Sequence, residues 1–293
     1  MTQKTKKRIF ITGASSFIGK TLIEKLQDNY DISVLIHKKN LDIANDDLLI
    51  VYGGMENVKE WGGNLANVDI IIHLAGISYT KNINVYKKIN SKGTQNLIKA
   101  AKHHKVKQFI FVSSRTCGTC CGAYGASKEM AENYLKKSDL VYTILRIGEV
   151  YDSNFSRAEG LGGIFYLIKK SPLIPYPYGK QSTLAPINRD DVQKIMLSVV
   201  GNRITYNKTY TVAGPENLYL KEVMNRICKQ QKLKRILIPV PMFFISLILF
   251  IFFNLFRKGA PDQLQRFLCK KNPLSNNVFT DLNIKPKPFL FFS

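Results

Sequence analysis

A chain of 293 residues suits one larger domain with a smaller second region. Its 45% hydrophobic and 11% aromatic content excludes a disordered or fibrous protein. Lysine and arginine number 43 against 21 aspartates and glutamates, and the net charge of +22 favours anionic partners: phosphates, nucleotides, acidic lipids or nucleic acid. The five cysteines form no disulfide framework, and the N-terminus lacks the apolar core of a signal peptide. We therefore expect a cytoplasmic protein with reduced thiols.

Short apolar runs alternate with amphipathic stretches through the first half of the chain. Strands are predicted at Arg8–Thr12, Ile32–Ile36, Leu48–Tyr52, Val68–Leu74, Gln108–Ser113 and Val141–Arg146. Helices are predicted at Gly19–Gln27, Val85–Lys102 and Ala123–Lys137. This alternation is typical of βαβ units and predicts an α/β protein of the Rossmann type, with a doubly wound parallel sheet covered by helices on both faces.

After about residue 150 the alternation stops. Helices are predicted at Leu161–Lys170, from near Asp190, and at Tyr219–Lys229, with a strand at Thr209–Val212 and a proline-rich loop at Ser171–Tyr178. We therefore divide the chain into a Rossmann domain, residues 1–150, and a smaller α/β region, residues 151–293, that lies over the functional edge of the sheet and binds substrate.

A glycine-rich turn joins the first predicted strand to the first helix. Glycines there let the backbone approach a pyrophosphate, whose charge then lies at the N-terminus of the helix. The alternative is a purely structural turn, but the position of this one in an alternating chain favours dinucleotide binding. The predicted cofactor-binding residues of the turn are Gly13, Ser15, Ser16, Phe17, Ile18 and Gly19.

Tyr124 and Lys128 lie one turn apart on the same face of a predicted helix. A free tyrosine has a pKa of about 10, and a neighbouring ammonium favours its phenolate, so this pair can perform acid–base chemistry. Such spacing is common on surface helices. Its position, ten residues after a strand that ends in Ser113 and Ser114 and in a chain with a cofactor turn, favours catalysis.

These motifs resemble the extended short-chain dehydrogenase/reductase superfamily, in its NAD-dependent epimerase/dehydratase branch. The turn matches Thr-Gly-x-x-Gly-x-x-Gly, with Ser16 in place of the middle glycine. Further matches lie at His73–Gly76, Asn90–Thr94 and Val112–Ser114, and the similarity extends to about Pro288.

The resemblance implies a role for each residue of the site. Tyr124 would exchange a proton with a substrate hydroxyl or carbonyl while nicotinamide takes or gives a hydride on the same carbon. Lys128 would tune Tyr124 and hold the nicotinamide ribose, and Ser114 would bond the reacting oxygen. Asn90 would support a proton-relay water, the alternative being a helix-surface amide. The cofactor site would also include Leu74, Ala75 and Gly76.

The identity of the dinucleotide depends on the end of the second strand, where His37, Lys38 and Lys39 stand. Basic groups suit the 2′-phosphate of NADP, whereas a carboxylate at this point suits NAD. We expect NADP or NAD, with NADP favoured and with His37 and Lys38 as contacts. The alternative is a solvated basic turn.

The implied substrate is a nucleotide-activated or lipid-linked sugar that is epimerised or reduced at a ring carbon. Dehydration is less favoured, because Arg115 and Thr116 occupy the place of the acidic pair in dehydratases. The predicted substrate contacts are Ser114, Arg115, Lys180 and Arg189. Two alternatives remain open: a reductase or dehydrogenase of a lipid-like alcohol, and a protein that binds NADP without catalysis.

Cys117, Cys120 and Cys121 have a spacing that can bind zinc. A closed zinc site needs four ligands, however, and no histidine lies near, so we predict pocket-lining thiols and no metal.

Residues 236–256 lack any ionisable side chain, which predicts an apolar helix near residues 241–256. This helix is flanked by basic residues and is too short for a clean membrane span. Insertion into an anionic membrane surface, as a peripheral attachment, is favoured over a buried domain or homodimer helix. Nucleic acid is not expected, because no recognition module accompanies the charge.

Overall fold

The computed structural model describes residues 6–37, 48–152, 161–178, 183–241, 243–244, 261–274 and 277–290. Its centre is a parallel sheet of seven strands in the order β10-β6-β5-β4-β1-β2-β3. The strands are β1 Lys7–Thr12, β2 Tyr30–Ile36, β3 Leu49–Tyr52, β4 Ile70–His73, β5 Gln108–Ser114, β6 Tyr142–Ile147 and β10 Lys208–Val212. The chain runs outward from β1 to β3 and then returns to β4 on the other side of β1. Ligands of such sheets bind at this reversal, beyond the carboxyl ends of the strands.

Helices cover both faces of the sheet, which confirms the doubly wound prediction. The helices are α1 Phe17–Leu26, α2 Val58–Trp61, α3 Asn84–Tyr86, α4 Thr94–His103, α5 Gly122–Lys136, α6 Leu161–Lys170, α7 Arg189–Val199, α8 Leu220–Gln230, α9 Pro261–Leu268 and α10 Asn277–Asp281. A π-helical segment, Lys87–Gly93, joins α3 to α4. Leu22 of α1 and Ile195 of α7 belong to the core on one face, and Leu97 of α4 and Leu135 of α5 belong to the core on the other.

Two small sheets lie beyond the carboxyl edge of the main sheet. In one, β7 Val150–Tyr151 pairs with β9 Ile187–Asn188, and in the other β8 Leu173–Tyr178 pairs with β11 Ile236–Pro241, both in parallel. The prediction of a loop at Ser171–Tyr178 is therefore wrong. In a two-stranded sheet, alternate N–H groups point away from the partner strand, so prolines such as Pro175 and Pro177 cost no ladder bond there.

At the start of the predicted apolar helix near residues 241–256, Pro241 still belongs to β11, whereas Phe243 and Phe244 are helical. Residues 245–260 lie outside the described residues. Within the described parts of the chain, no helix combines the length and the apolar character needed to cross a membrane.

Candidate active site

A chain of buried hydrogen bonds links the carboxyl ends of β1 and β4 to the π-helical segment. Thr12 Oγ1 lies 2.6 Å from His73 Nδ1, and His73 Nε2 lies 2.8 Å from Thr94 Oγ1, which itself donates to the Asn90 carbonyl at 2.7 Å. Because the Thr94 proton is used in that last bond, Nε2 of His73 donates and Nδ1 accepts. Burial lowers the pKa of His73 to about 3, so the ring is neutral at neutral pH.

The glycine-rich turn follows directly from Thr12. Gly13 has a φ of +73°, and a Cβ there would lie 2.7 Å from the Ala75 nitrogen, so only glycine fits. Ser16 caps α1, since its Oγ accepts from the Gly19 N–H at 3.1 Å, which explains a serine at the middle position of the turn. Phe17 opens α1, whose first N–H groups have no acceptor within the helix. This turn, which also contains Ser15, can therefore bind a pyrophosphate.

Arg189, predicted to bind substrate, lies beside this turn. Its guanidinium carbon is 4.0 Å from the centre of the Phe17 ring, and one of its terminal nitrogens pairs with Asp152 at 3.1 Å. The Nε atom of Arg189 is buried and has no hydrogen-bond partner among the described residues. Together with Phe17, Ile18 and Tyr151, Arg189 lines a small cavity. An anionic group held at the turn would supply the missing acceptor, so these residues fit a dinucleotide phosphate.

The structure brings the predicted acid–base residues together at the same edge of the sheet. The Ser114 hydroxyl, at the end of β5, is near enough to the Tyr124 phenol to lower its pKa, and it lies 2.9 Å from the Thr116 hydroxyl. Lys128 Nζ donates to the Val112 carbonyl at 3.0 Å, and a Cβ at Gly76 would lie 3.3 Å from that nitrogen. The ammonium of Lys128 therefore lies against the predicted cofactor segment, and burial lowers its pKa to about 8.

Tyr124 carries an additional neighbour that the sequence did not reveal. The guanidinium carbon of Arg266, on α9, lies 4.5 Å from the centre of the Tyr124 ring. Burial raises the pKa of Tyr124, while the Arg266 charge and the Ser114 hydrogen bond oppose that rise. Asp262, one turn earlier on α9, accepts from the Tyr124 N–H at 3.1 Å. No local motif marks these residues, which lie 138 and 142 positions along the chain from Tyr124.

Asn90 is buried in the π-helical segment rather than exposed on a helix surface. Its Oδ1 accepts from the Ile77 N–H at 2.8 Å, and its Nδ2 donates to the Ile77 carbonyl at 2.9 Å. Nδ2 also lies 3.3 Å from the Ser127 hydroxyl, on the helix that carries Tyr124. Asn90 therefore holds the segment after β4, which contains Leu74 and Ala75, against α5.

Arg115, which was predicted to contact substrate, lies in the interior of the protein. Its side chain is only 4% exposed, with one nitrogen 3.4 Å from Glu149 and the other 3.1 Å from the Asn217 amide oxygen. Glu149 also pairs with Lys271 at 2.9 Å. Buried charges need such partners. Arg115 thus joins four segments of the chain through its buried side chain.

A carboxylate that the sequence analysis missed lies beside the end of β2. His37 Nε2 lies 3.8 Å from Glu56 Oε1, and both side chains have exposed surface. Glu56 follows the third strand in sequence, and only the pairing of β2 with β3 brings it beside His37. Lys38 and Lys180, predicted to bind cofactor and substrate, lie outside the described residues.

The cysteines differ from the prediction of free, pocket-lining thiols. Cys121 forms a disulfide with Cys269, which lies just after α9. Cys117 is free, and burial raises its pKa to about 12, so it is a neutral thiol. Cys120 is free and exposed, with its sulfur 3.8 Å from that of Cys121. The disulfide thus joins the middle third of the chain to the last third beside Tyr124.

Comparison with known proteins establishes the class of protein that this fold and site define. A family profile described as NAD(P)H-binding matches residues 13–203, about two thirds of the chain, and the protein belongs to that family. It is 24% identical over 268 residues to the UDP-glucose 4-epimerase of Vibrio cholerae, covering 82% of this chain and 80% of that protein. These matches confirm the extended short-chain dehydrogenase/reductase superfamily and its epimerase/dehydratase branch.

Two further similarities bear on fold and function. The ceramide reductase of Caulobacter vibrioides is 26% identical over 187 residues, covering 62% of this chain and 57% of the reductase. The Bordetella bronchiseptica enzyme WbmG, solved in complex with NAD, superimposes with a TM-score of 0.72 at 16% identity, over 98% of this chain and 91% of that one. At that identity the superposition shows a shared fold.

Proposed function

We propose that the protein is an NAD(P)-dependent oxidoreductase that epimerises or reduces a ring carbon of a nucleotide-activated or lipid-linked sugar. The observation that carries this proposal is the meeting of the Ser114–Tyr124 pair with Lys128 and Gly76 at one edge of the sheet. Lys128, one helical turn after Tyr124, thereby connects the acid–base residues to the cofactor segment. The similarity to a UDP-glucose 4-epimerase supports a nucleotide sugar as substrate.

The residues divide the chemistry among them. In the oxidative direction, the Tyr124 oxygen accepts the proton of a sugar hydroxyl, and Ser114 holds the oxygen that becomes a carbonyl. Nicotinamide, when bound, supplies the hydride acceptor for the hydrogen on the same carbon. Lys128 stabilises negative charge near the ribose. The reverse transfer returns a proton from Tyr124 to the carbonyl oxygen and completes an epimerisation or a reduction.

The cofactor is held at two points in this proposal. The first turn of α1 and the unpaired Nε of Arg189 bind the phosphates. At the ribose end, His37 suits a 2′-phosphate, whereas the neighbouring Glu56 suits the free hydroxyls of NAD.

The affinity for NADP relative to NAD should therefore rise in a Glu56→Gln variant, because the carboxylate that repels the 2′-phosphate is neutralised. Titration calorimetry measures both affinities.

A lipid-like alcohol is the second candidate substrate, and one feature of the surface favours it. One face of the β8–β11 sheet carries Leu173, Pro175, Ile236 and Ile238, and the three large side chains among them are 49%, 64% and 40% exposed. Phe243 and Phe244, which follow β11, are 71% and 54% exposed. The similarity to a ceramide reductase points in the same direction.

We propose that this face, here called the β8–β11 face, contacts an anionic lipid bilayer. Lys169, Lys170 and Lys234 are exposed beside the amino ends of the two strands. Exposed apolar side chains next to a basic cluster are what a negatively charged leaflet binds, through burial of the apolar atoms and attraction to the headgroups.

Vesicle sedimentation tests the β8–β11 face. Binding is expected to vesicles that contain phosphatidylserine, to weaken at high salt, and to fall about 10-fold in an Ile236→Glu, Ile238→Glu variant. Ile204→Glu is the matched control, since Ile204 is 56% exposed elsewhere on the surface. Absence of binding to anionic vesicles would refute the proposal, as would a concentration-dependent dimer that the double variant abolishes.

Activity assays of Tyr124→Phe test the proposed chemistry. With nucleotide sugars and either dinucleotide, the variant should lose about 10²–10⁴-fold in kcat while its cofactor affinity stays unchanged, because only the proton is removed. Tyr134→Phe, on the same helix, is the control and should keep full activity. A Tyr124→Phe enzyme with normal turnover would show that the proposed role of Tyr124 is wrong.

A further inference from the structure

The cation nearest the Tyr124 ring is on α9, not on the helix that carries Tyr124. Arg266 places its guanidinium carbon 4.5 Å from the ring centre. Lys128 directs its ammonium to the Val112 carbonyl and lies 4.9 Å from the centre of the Phe111 ring. Of the charged groups described by the structure, Arg266 therefore acts most directly on the phenol.

The position of α9 is fixed at both of its ends. At its start, Asp262 accepts from the Tyr124 N–H and pairs with Arg266 at 3.2 Å. Gly122 permits this approach, because a Cβ there would lie 2.5 Å from the Asp262 carboxylate. Just after its end, Cys269 is joined to Cys121. These contacts hold Arg266 over the ring, and its side chain is only 16% exposed.

We propose that Arg266 is a positioning residue that stabilises the phenolate of Tyr124 during proton transfer. This inference rests on the proposed function of Tyr124. A guanidinium over the ring face attracts the electron-rich phenolate more strongly than the neutral phenol, and partial burial limits the screening by water. The direction agrees with the lowering effect of Arg266 on the pKa of Tyr124.

Other groups that face Tyr124 act in both directions. They are Ser114 at the end of β5, Cys117 shortly after it, Tyr86 of α3, and Asp262 of α9, while Lys128 of α5 directs its ammonium to the Val112 carbonyl. Tyr86 packs edge-on, with ring centres 5.6 Å apart, and Asp262 offsets part of the Arg266 charge. Neutralising Arg266 alone should therefore leave the phenol with Asp262 as the nearest full charge and raise its pKa.

Titration of Tyr124 itself tests this inference without any need for turnover. Tyrosines labelled with ¹³C at Cζ report ionisation by NMR, and Tyr124→Phe identifies the signal. In Arg266→Gln the pKa of Tyr124 should rise by about one unit or more, and Arg266→Lys should restore most of the difference. Arg203→Gln, an exposed arginine on a distant turn, is the control and should change nothing.

The kinetic counterpart is the pH profile of kcat in the oxidative direction, whose acidic limb should move to higher pH by the same amount in Arg266→Gln and return in Arg266→Lys. An unchanged Tyr124 titration in a folded Arg266→Gln protein overturns the inference. Failure of the proposed function has a different signature: Tyr124→Phe stays active while Arg266→Gln still shifts the Tyr124 signal. If Arg266→Gln does not fold, Arg266→Met takes its place, and an unchanged pKa of Tyr124 in that variant overturns the inference in the same way.

Discussion

His73 is the residue that most clearly couples the cofactor turn to the acid–base site. Its ring is fully buried between Thr12, beside the turn, and Thr94, which is bonded to Asn90. A second proton on the ring would leave one of the two threonine bonds without an acceptor and would place an unpaired charge in the core. The hydrogen-bond chain therefore depends on a neutral histidine.

This neutrality predicts the pH dependence of stability. The folded-state pKa of about 3 is below the unfolded value of 6.5, so the unfolded state binds more protons and the free energy of unfolding falls as pH drops below 6.5. Between about pH 7.5 and about pH 5.5, His73 should account for a loss of about 1.4 kcal/mol. Urea unfolding of wild type and His73→Gln measures it, with the exposed His103→Gln as control. Equal losses in wild type and His73→Gln would contradict this role.

At the scale of elements, α9 brings two residues from far along the sequence into contact with Tyr124. The Cys121–Cys269 disulfide spans 148 residues and fastens this helix to the segment before α5. A link across so long a loop restricts the unfolded chain strongly. It also holds Asp262 and Arg266 in place beside Tyr124.

Removing the Cys121–Cys269 disulfide should lower the stability of the fold and loosen the position of Arg266 beside Tyr124. Cys269→Ser is expected to lower the free energy of unfolding by about 2–4 kcal/mol, measured by urea denaturation under non-reducing conditions. Cys228→Ser, a free thiol on α8, serves as control. The same Cys269→Ser protein should show a raised pKa for Tyr124, because Arg266 is held less firmly. Equal stability of the two variants would mean that α9 is held by its other contacts.

Local signals predicted the elements that carry Ser114, Tyr124 and Lys128, because a strand, a turn and one face of a helix are each set by neighbouring residues. The same signals failed for β8, because its prolines were taken to indicate a loop. They are tolerated in the strand because β8 forms hydrogen bonds on one side only, with β11. They also could not find Glu56 or Arg266, which reach the site only through tertiary packing.

At the scale of the whole molecule, the alternation of strands and helices was enough to predict the parallel sheet. The edge strand β10 lies after residue 150, in the part of the chain where strands and helices no longer alternate regularly. The structure shows where some of the residues behind the net charge of +22 lie. Arg189 lies beside the glycine-rich turn, and Arg266 lies beside Tyr124. In the interior, Arg115 and Lys271 both pair with Glu149. Part of the positive charge is therefore neutralised by internal ion pairs.

The central claim is that this site moves a hydride between a sugar ring carbon and a nicotinamide. Nucleotide sugars deuterated at single ring carbons, incubated with the protein and either dinucleotide, test it by mass spectrometry of the cofactor. Deuterium from one ring carbon should appear on the nicotinamide in wild type and not in Tyr124→Phe. Label transferred only from a hydroxylated lipid, and from no nucleotide sugar, would contradict the account.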